Sequence, residues 1–585
     1  MLVHNSHLPF YRSPQNSVPC ETMVTFRFVS DEAKAVKLRL WNGREAILPM
    51  RFDGTLTYSV SCLMPKNPCV MWYDFLVQTV SGEISYGNAV DQLGGEGSVQ
   101  GYDRHSFQIT VYTKNYSVPP YMHEANIYQI FPDRFFKAPT KSVCRRTDRY
   151  IHKNWDETPI LIADPVLGGD TNADFFGGTL NGIKEKLPCL KTLGINLLYL
   201  NPIFQSRSNH RYDTGDYSKT DPLLGTNEEF KALCDAAKAL DMRVMLDGVF
   251  SHTGSDSLYF NKDGHYPFLG AYQSKKSEYY EWYEFMDYPT VYQSWWGFQT
   301  LPEVNKASEK YRRFMFNGRN GIVPLWIKKG AAGWRLDVAD ELPMDFLRQL
   351  RVASKKAAPD AVVLGEVWED ASNKITYGET RCYCLGDTLD SVMNYPLRET
   401  LIAFLKGDCN AFHLARLIRH QQEVYPVPFF YALMNLIGSH DRARAVNTLV
   451  GRTYENLPAE ERGYQRLSDE EYALGVKRLM KAYDILCVLP GAPAIYYGDE
   501  AGLQGGPDPF CRGTFPWGRE NAALRAHVKM LLTRRNQDNL LTLGKLHICA
   551  KNDDTLEITR FFDGEDAFHT PQKNRRVTFE ISRKG

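Results

Sequence analysis

The chain has 585 residues, of which 43% are hydrophobic and 13% aromatic, and its 69 Lys and Arg residues balance 69 Asp and Glu residues. This length predicts two to four domains with sizeable cores. A formal net charge of zero leaves no basic excess to hold phosphate backbones, which argues against nucleic acid as a partner.

Residues 1–122 are predicted to form an N-terminal β-sandwich. Several short runs alternate apolar and polar residues, and turn residues such as Asn42-Gly43 separate them, which is typical of two packed sheets. The paired prolines at positions 119 and 120 indicate a linker to the next domain. The alternating runs are residues 25–29, 35–41, 71–77 and 106–112.

From residue 123 to residue 530, apolar strand-like runs alternate with helical patterns. Near-continuous apolar runs suit a parallel sheet that is buried on both faces. Eight such strands with helices between them predict an α/β fold, a (β/α)8 barrel whose active site lies where the strands end. The eight runs are residues 126–131, 195–200, 243–247, 333–337, 362–366, 390–394, 432–436 and 494–497.

Two segments stand outside the regular alternation. The connection after the third strand, residues 253–305, is rich in aromatic residues and too long for an ordinary barrel loop, so we expect an inserted subdomain there. Residues 531–585 contain two alternating runs and predict a short C-terminal β module.

Acidic side chains lie at or near the ends of four predicted strands, each beside a residue with useful chemistry. A single acidic residue at such a position is more often a helix cap or an ion-pair partner. Four of them with such neighbours favour an active site at the barrel mouth. The groups are Asp247 and His252 at strand three, Arg335 and Asp337 at strand four, Glu366 and Trp368 at strand five, and His440 and Asp441 at strand seven.

These groups suit the hydrolysis of a glycosidic bond. One carboxylic acid must protonate the leaving oxygen, and one carboxylate must meet the oxocarbenium-like carbon. Asp337 is the predicted nucleophile, because Arg335 lies two residues earlier on the same face of the strand and is expected to keep it ionised. Glu366 is the predicted acid/base.

The other residues at these strand ends are predicted to bind the sugar. Asp441, His252 and His440 can hydrogen-bond hydroxyl groups near the reacting ring, and Asp247 lies at the same mouth. Trp368 has two interpretations, either as a residue that shapes the acceptor side or as a packing residue of the barrel.

In this order, the four segments resemble the four sequence regions of the α-amylase family of glycoside hydrolases, over about residues 123–525. The resemblance implies the same roles for Asp337 and Glu366 and makes Asp441 a stabiliser of the transition state. Residues 209–217 are similar to the family loop after strand two. This similarity implies that Tyr212 stacks on the sugar at the cleavage point, with His210 and Asp213 nearby.

A narrower resemblance is to the group of neopullulanase, cyclomaltodextrinase and maltogenic amylase. It implies that Asp508 and Arg512 bind sugar beyond the cleavage point. It also implies that the N-terminal sandwich is a carbohydrate-module-like domain, which in this group often packs over a partner's active site in a homodimer. The segments that carry it are residues 128–134, 338–341, 366–369, 497–502 and 508–512.

The chain departs from the family where many amylases bind calcium. Ser251 and Thr179 replace a common asparagine and a common aspartate, and residues 135–140 lack an acidic calcium loop. Because calcium prefers several anionic oxygen ligands, we expect no metal and no other cofactor. Asp340 also replaces a common asparagine on the acceptor side, and the C-terminal module is shorter than the resemblance predicts.

Twelve cysteines lie along the chain without the spacing of a disulfide framework or a zinc site. Unpatterned cysteines in a large chain are typical of a reducing compartment. The first residues do not resemble a signal peptide, and no apolar run is long enough to span a bilayer. The sequence therefore predicts a cytoplasmic protein without a membrane partner.

The leading hypothesis is a retaining α-glucan hydrolase that cleaves α-1,4 bonds of cyclodextrins and maltooligosaccharides by double displacement, with pullulan and starch as further substrates. The alternative on the same barrel is an oligo-α-1,6-glucosidase or a glucanotransferase. An inactive sugar-binding subunit is a third hypothesis, and the presence of all three carboxylates with Arg335 argues against it.

Overall fold

The computed structural model describes residues 1–162, 171–318 and 320–584, and it begins with two mostly antiparallel sheets that enclose one hydrophobic core. Apolar residues that alternate along each strand fill this core, as the sequence predicts. The strands of the first sheet are Leu2–Val3, Arg12–Ser13, Met23–Ser30, Arg51–Phe52 and Thr57–Leu63. Those of the second sheet are Val18–Pro19, Ala35–Trp41, Glu45–Pro49, Cys69–Thr79, Gly82–Gly87, Ser98–Val99 and Phe107–Tyr112.

Eight parallel strands then form the predicted barrel. They are hydrogen-bonded in the order 6-5-4-3-2-1-8-7, and a parallel bridge between Met393 and Met434 joins the sixth to the seventh and closes the ring. Each predicted run overlaps one of these strands, although strand three extends one residue past its run and strand eight begins two residues before its run. Their bounds are Ile127–Ile130, Leu197–Leu200, Arg243–Gly248, Gly333–Leu336, Val362–Gly365, Ser391–Val392, Met434–Leu436 and Ala492–Tyr496.

The helices start and stop where local chemistry satisfies their terminal backbone groups. Thr226 with Glu229, and Ser468 with Glu471, form capping boxes, and Gly194 ends the first helix with a left-handed φ of 103°. Among the described residues, no helix is long and apolar enough to cross a membrane. The helices are Leu180–Leu193, Asn227–Ala239, Glu309–Phe316, Ile322–Lys328, Met344–Ala357, Tyr395–Lys406, Ala411–Val424, Val427–Phe430, Ala445–Leu449, Asp469–Val488, Ala522–Gln537 and Asn539–Leu543.

The long connection after strand three packs onto the barrel. Its buried aromatic residues, such as Tyr259 and Trp282, belong to the same core cluster as the barrel strands. The short strand pairs of this and the other loops are Tyr150–Ile151 with Asp174–Phe175, Phe204–Ser206 with Thr214–Thr220, Phe285–Asp287 with Val291–Tyr292, and Ile375–Thr376 with Glu379–Thr380.

The C-terminal module is a three-stranded antiparallel sheet, Lys545–Asn552, Thr555–Phe562 and Arg575–Ser582. Two of these strands match the predicted runs, and the first was not predicted. The predicted boundary at residue 530 falls inside the helix Ala522–Gln537. Ile548 and Ile558 of the sheet share the core cluster of the barrel.

The N-terminal sandwich is attached to its own barrel through a buried ion pair. Glu423, near the end of the helix Ala411–Val424, lies 3.1 Å from Arg12 Nη2 and 3.1 Å from His7 Nε2, and Ser6 Oγ donates to it at 3.2 Å. Burial alone would raise the pKa of Glu423, but Arg12 and His7 outweigh this effect and lower the pKa to about 2. The contact between the two domains therefore depends on an ionised glutamate.

We predict that Glu423→Gln lowers the free energy of unfolding by about 3–5 kcal/mol, because the charge of Arg12 would stay buried without its counter-ion. Urea denaturation at pH 7 measures this loss. The control is Glu45→Gln, which breaks a half-exposed pair with Arg39 and is expected to cost less than ~1 kcal/mol. Equal effects of the two substitutions would contradict the structural role of Glu423.

The same pair predicts a pH dependence. The pKa of Glu423 in the folded protein is about 2, below its ordinary value of 4.5, so its contribution to stability is complete above pH 4.5 and is lost as the pH falls toward 2. Denaturation curves of the wild type should show this acid component, and those of Glu423→Gln should lack it. An unchanged acid component in the variant would be evidence against the pair.

Candidate active site

The residues predicted at strands three, four and five meet around one buried guanidinium. Arg335 Nη1 donates to Asp247 Oδ1 at 2.7 Å and to Asp337 Oδ1 at 3.1 Å. Its Nη2 lies 2.8 Å from Glu366 Oε2, which also accepts the backbone N–H of Val338 at 2.9 Å. Three carboxyl groups at the C-terminal ends of neighbouring strands thus share one positive charge.

The pKa values of these carboxyl groups depend on their burial and on the one arginine that they share. Burial raises the pKa of Asp337 well above its ordinary value, Arg335 opposes the shift, and the carboxylates of Glu366 and Asp247 add to it. Burial also raises the pKa of Asp247 against the effect of Arg335. Arg335 favours the ionised form of Asp337, as the sequence predicts, but burial outweighs this effect because one guanidinium is divided among three desolvated carboxyl groups. These three groups lie close enough to titrate as a coupled set.

A chain of hydrogen bonds joins strand one to Asp247. The Gln129 amide donates to His440 Nδ1 at 2.9 Å, so the proton of the neutral ring is on Nε2, which donates to the Tyr212 hydroxyl at 2.6 Å. Tyr212 in turn donates to Asp247 Oδ2 at 2.9 Å. Burial lowers the pKa of His440 well below its ordinary value, so the ring stays neutral. The rings of Tyr212 and His440 stack with centroids 5.3 Å apart.

The other two predicted histidines are also neutral. Ser251 Oγ lies 2.9 Å from His252 Nδ1, and the buried Nε2 of His252 has no hydrogen-bond partner among the residues that the structure describes. His210 Nδ1 accepts the backbone N–H of Tyr212 at 3.0 Å. Burial lowers the pKa of His252 to about 3 and that of His210 to about 4. His252 therefore offers an uncharged hydrogen-bonding nitrogen.

Asp441, Asp508 and Arg512 meet beside His440. Arg512 is buried, and its Nη1 lies 2.8 Å from Asp508 Oδ1 and its Nη2 3.5 Å from Asp441 Oδ1. His440 Nε2 lies 3.1 Å from the same Asp441 oxygen, and Arg512 Nε donates to the His440 carbonyl at 3.1 Å. Arg512 therefore connects Asp508 to the strand-seven segment that carries His440 and Asp441.

Trp368 lies on the side of Glu366. Its indole N–H donates to Glu366 Oε1 at 3.1 Å, and 41% of its surface is exposed. Because of this exposure, the interpretation of Trp368 as a buried packing residue of the barrel is wrong.

Asp213 makes different contacts from those expected. Its carboxylate accepts the Ser206 hydroxyl at 2.5 Å, the Ser208 hydroxyl, and the backbone N–H groups of Arg207 and Ser208 at 3.2 Å each. Asp213 therefore stabilises the loop that carries His210 and Tyr212, because both of its carboxylate oxygens accept hydrogen bonds from that loop.

Sequence reasoning missed two polar groups inside the barrel. Tyr199 donates to Asp247 Oδ2 at 2.6 Å, and Gln129 orients His440. Both lie within otherwise apolar strand runs. A polar residue in a buried strand indicates that its polar group has a partner there, and this was the signal that could have found them.

The positions tied to calcium in many amylases have other tasks in this chain. Thr179 caps the first helix, and Ser251 contacts His252. Nearby, Asp133 and Asp174 are buried, but Arg134 lies between them, with its Nε 2.7 Å from Asp133 and its Nη2 3.2 Å from Asp174. Arg134 therefore supplies the positive charge that balances these two buried carboxylates.

One group of three residues within the described ranges has the geometry to hold a metal ion, namely Asp256, Asp263 and His265. Asp263 and His265 are exposed, and Asp256 is already paired with Arg146 Nη1 at 2.7 Å. This group is an acidic cluster with its own counter-ion.

An eight-stranded barrel with carboxyl groups clustered at its strand ends defines a class of enzymes that act at the barrel mouth. The family model of the α-amylase catalytic domain matches residues 129–543. The chain therefore belongs to the α-amylase family, and the predicted family resemblance is confirmed.

Named relatives agree with the narrower resemblance. An amylopullulanase from Thermoanaerobacter thermohydrosulfuricus is 38% identical over 97% of this chain and 41% of its own length. A cyclomaltodextrinase from Geobacillus thermopakistaniensis is 32% identical over 75% of this chain and 66% of its own length. The solved structure of a cyclomaltodextrinase covers 98% of this chain and 90% of its own, with 25% identity and a TM-score of 0.65. The chain spans less than half the length of the amylopullulanases that it matches.

We predict that Asp337→Asn lowers kcat at least ~1,000-fold, because an amide can neither attack the anomeric carbon nor balance its positive charge. Turnover of β-cyclodextrin measures the loss, and circular dichroism checks that the barrel stays folded. A folded variant that keeps more than a few per cent of the wild-type rate would rule out Asp337 as the nucleophile.

We predict that His252→Gln lowers kcat/KM on maltotriose about tenfold, the value of one hydrogen bond to a sugar hydroxyl. Because the pKa of His252 is about 3, the ring is neutral at ordinary pH, and the shape of the pH–rate profile between pH 4.5 and 8 should not change. A loss that appears only on the acid limb would show that a charged His252 takes part.

Proposed function

We propose that this chain is a retaining α-glucan hydrolase, with Asp337 as nucleophile, Glu366 as acid/base and Asp441 as stabiliser of the transition state. The observation that carries the proposal is the contact of Arg335 with both Asp337 and Glu366. Retaining glycosidases hold their two carboxyl groups about 5–5.5 Å apart, and two carboxyl groups on one guanidinium are held at short range.

The hydrogen bonds of Glu366 suit an acid/base. Its Oε2 lies 2.8 Å from Arg335 Nη2 and accepts the Val338 N–H, which leaves Oε1, beside Trp368, as the oxygen that carries the transferable proton. In the first step Glu366 protonates the glycosidic oxygen while Asp337 attacks the anomeric carbon and the bond to the leaving sugar breaks. In the second step Glu366 takes a proton from water while the water oxygen attacks the anomeric carbon, and the bond between the sugar and Asp337 breaks.

The crowding of three carboxyl groups around Arg335 suits this cycle. Catalysis needs the form in which Glu366 is protonated and Asp337 is ionised. Arg335 contacts both groups, so it can stabilise whichever of them is ionised at each step. Tyr212, stacked beside His440, presents a ring on which the sugar at the cleavage point can pack.

We propose α-1,4 bonds of cyclodextrins and maltooligosaccharides as the main substrates. The similarity to cyclomaltodextrinases supports this choice. Pullulan cleavage is a second candidate, because the relatives that match nearly the whole chain are named amylopullulanases. If pullulan is a substrate, the same barrel mouth would also accept α-1,6-linked sugars.

The test is a set of initial rates on β-cyclodextrin, soluble starch and pullulan, each with and without EDTA. The proposal predicts that β-cyclodextrin is cleaved faster than starch, that the products are short sugars, and that EDTA has no effect. Pullulan as the fastest substrate would favour the second candidate. A preference for starch with long products would contradict the proposed substrate class, and loss of activity in EDTA would contradict calcium independence.

We also propose that the protein is a homodimer that forms through the N-terminal sandwich. Met23 and Leu63 support this proposal, since they face each other across neighbouring strands and are 55% and 60% exposed. Light scattering after size exclusion measures the mass. A dimer that becomes monomeric in the Leu63→Lys variant is the expected result, and a monomeric wild type would contradict it.

A cytoplasmic location is likewise a proposal. It is supported by twelve cysteines that form no disulfide. Cell fractionation of the natural host tests it, and recovery of the protein outside the cell would refute it.

A further inference from the structure

The loop that follows strand five begins with the proposed acid/base. Glu366 and Trp368 lie at its start, and the indole N–H of Trp368 donates to Glu366 Oε1 at 3.1 Å. We call residues 366–373 the acid/base loop. A general acid works only where it is held at the leaving oxygen, and a displacement of about 1 Å can cost ~100-fold in rate. The contacts that fix this loop therefore bear on the reaction.

The far end of the acid/base loop is fixed by the N-terminal sandwich. Gln108, on the strand Phe107–Tyr112, donates through Nε2 to Ser372 Oγ at 3.0 Å and accepts through Oε1 from Asn373 Nδ2 at 2.6 Å. Its Nε2 also donates to Thr110 Oγ1 at 3.1 Å, so both ends of the amide have partners. Gln108 is 4% exposed. Because buried polar groups are costly without partners, these bonds favour one position of the loop.

The middle of the loop is fixed by the helix Ala411–Val424 and the residue after it. His420 Nε2 lies 3.0 Å from Asp370 Oδ2, and the Ala371 N–H donates to the Tyr425 hydroxyl at 3.0 Å. Burial alone would lower the pKa of His420, but the hydrogen bond with Asp370 outweighs this effect and raises the pKa. Four successive residues of the acid/base loop thus have partners outside it.

Arg12 of the sandwich joins these two attachments. Its Nη1 donates to the Gln108 carbonyl oxygen at 3.0 Å, and its Nη2 lies 3.1 Å from Glu423 Oε1. Glu423 follows His420 by three residues, which is about one helical turn. One buried arginine therefore contacts both the strand that carries Gln108 and the helix that carries His420. The position of the acid/base loop depends on how the sandwich docks on its own barrel.

We propose that Gln108 is a positioning residue, which holds the acid/base loop so that Glu366 reaches the leaving oxygen. This inference rests on the proposed function of the same site. It gives the N-terminal sandwich a role within its own chain, separate from any contact with a second chain. Because Gln108 is buried between the sandwich and the loop, its effect should fall on proton transfer and spare the binding of the donor sugar.

The test compares two sides of one contact with a matched control. Gln108→Leu keeps a buried side chain of similar size but removes the amide, and Asn373→Ala removes one of the two bonds from the side of the loop. The control is Ser6→Ala, which loses the hydrogen bond of the sandwich to Glu423 at 3.2 Å and leaves the contacts of the loop intact. Melting temperatures check that each variant is folded at the assay temperature.

Two substrates with the same maltosyl donor isolate proton transfer. Maltotriose must lose a glucose that Glu366 protonates, whereas the fluoride of α-maltosyl fluoride leaves with little help from an acid. On maltotriose, kcat/KM should fall about tenfold in Gln108→Leu and in Asn373→Ala, which is part of the ~100- to 10,000-fold that a general acid contributes. On the fluoride it should fall less than about twofold, and Ser6→Ala should match the wild type on both.

The double variant adds a further condition. Gln108→Leu with Asn373→Ala should lose no more on maltotriose than Gln108→Leu alone, because both substitutions act on the same contact. Fully additive losses would contradict that shared route. Equal losses on both substrates would show that Gln108 only stabilises the fold, and no loss on either would show that the loop does not need it. Either result would overturn the proposal.

Hydrogen exchange with mass spectrometry tests the loop without turnover. In a peptide that spans the acid/base loop, the amides of residues 371–373 should exchange about tenfold faster in Gln108→Leu than in the wild type or in Ser6→Ala. Unchanged exchange would contradict the hold of Gln108 on the loop. A wild type that cleaves neither substrate would refute the proposed function, while the exchange rates would still decide whether Gln108 fixes the loop.

Discussion

The candidate site depends on one constraint, which is that one arginine, Arg335, lies in direct contact with three buried carboxyl groups, those of Asp247, Asp337 and Glu366. A buried charge is costly unless it is paired, so each carboxyl group needs the arginine, and the arginine needs all of them. One positive charge cannot neutralise three negative ones, and burial raises the pKa values of Asp247 and Asp337. A retaining glycosidase needs a protonated acid beside an ionised nucleophile, and raised pKa values favour a proton in such a cluster.

The surrounding structure keeps this cluster in place. Parallel strands three, four and five set the carboxyl groups side by side, and barrel closure between Met393 and Met434 brings strand seven with His440 to the same mouth. Tyr212 then links His440 to Asp247. The N-terminal sandwich docks on the outer helix that carries Glu423. We infer that the barrel sets the chemistry, and that the connecting loops shape access to it.

Most of the fold could be predicted because its rules are local or periodic. Each of the eight apolar runs overlaps one barrel strand, and capping boxes at Thr226 and Ser468 mark the starts of two helices. The composition of the carboxyl cluster followed from residues at strand ends. The raised pKa of Asp337 did not, because it depends on burial and on how many carboxyl groups crowd one arginine. The contacts of Gln108 with Ser372 and Asn373 were also out of reach, because they join residues of two domains that lie 264 and 265 positions apart in the chain.

The measurement that tests the central claim most directly is to trap the covalent intermediate. A 5-fluoro-α-glycosyl fluoride reacts with a retaining glycosidase quickly and is released slowly, so the sugar stays on the nucleophile long enough for mass spectrometry of proteolytic peptides. The account predicts one labelled peptide, with the sugar ester-linked to Asp337. A label on Asp247 or Glu366, or active enzyme that turns the reagent over with inversion and no label, would contradict it.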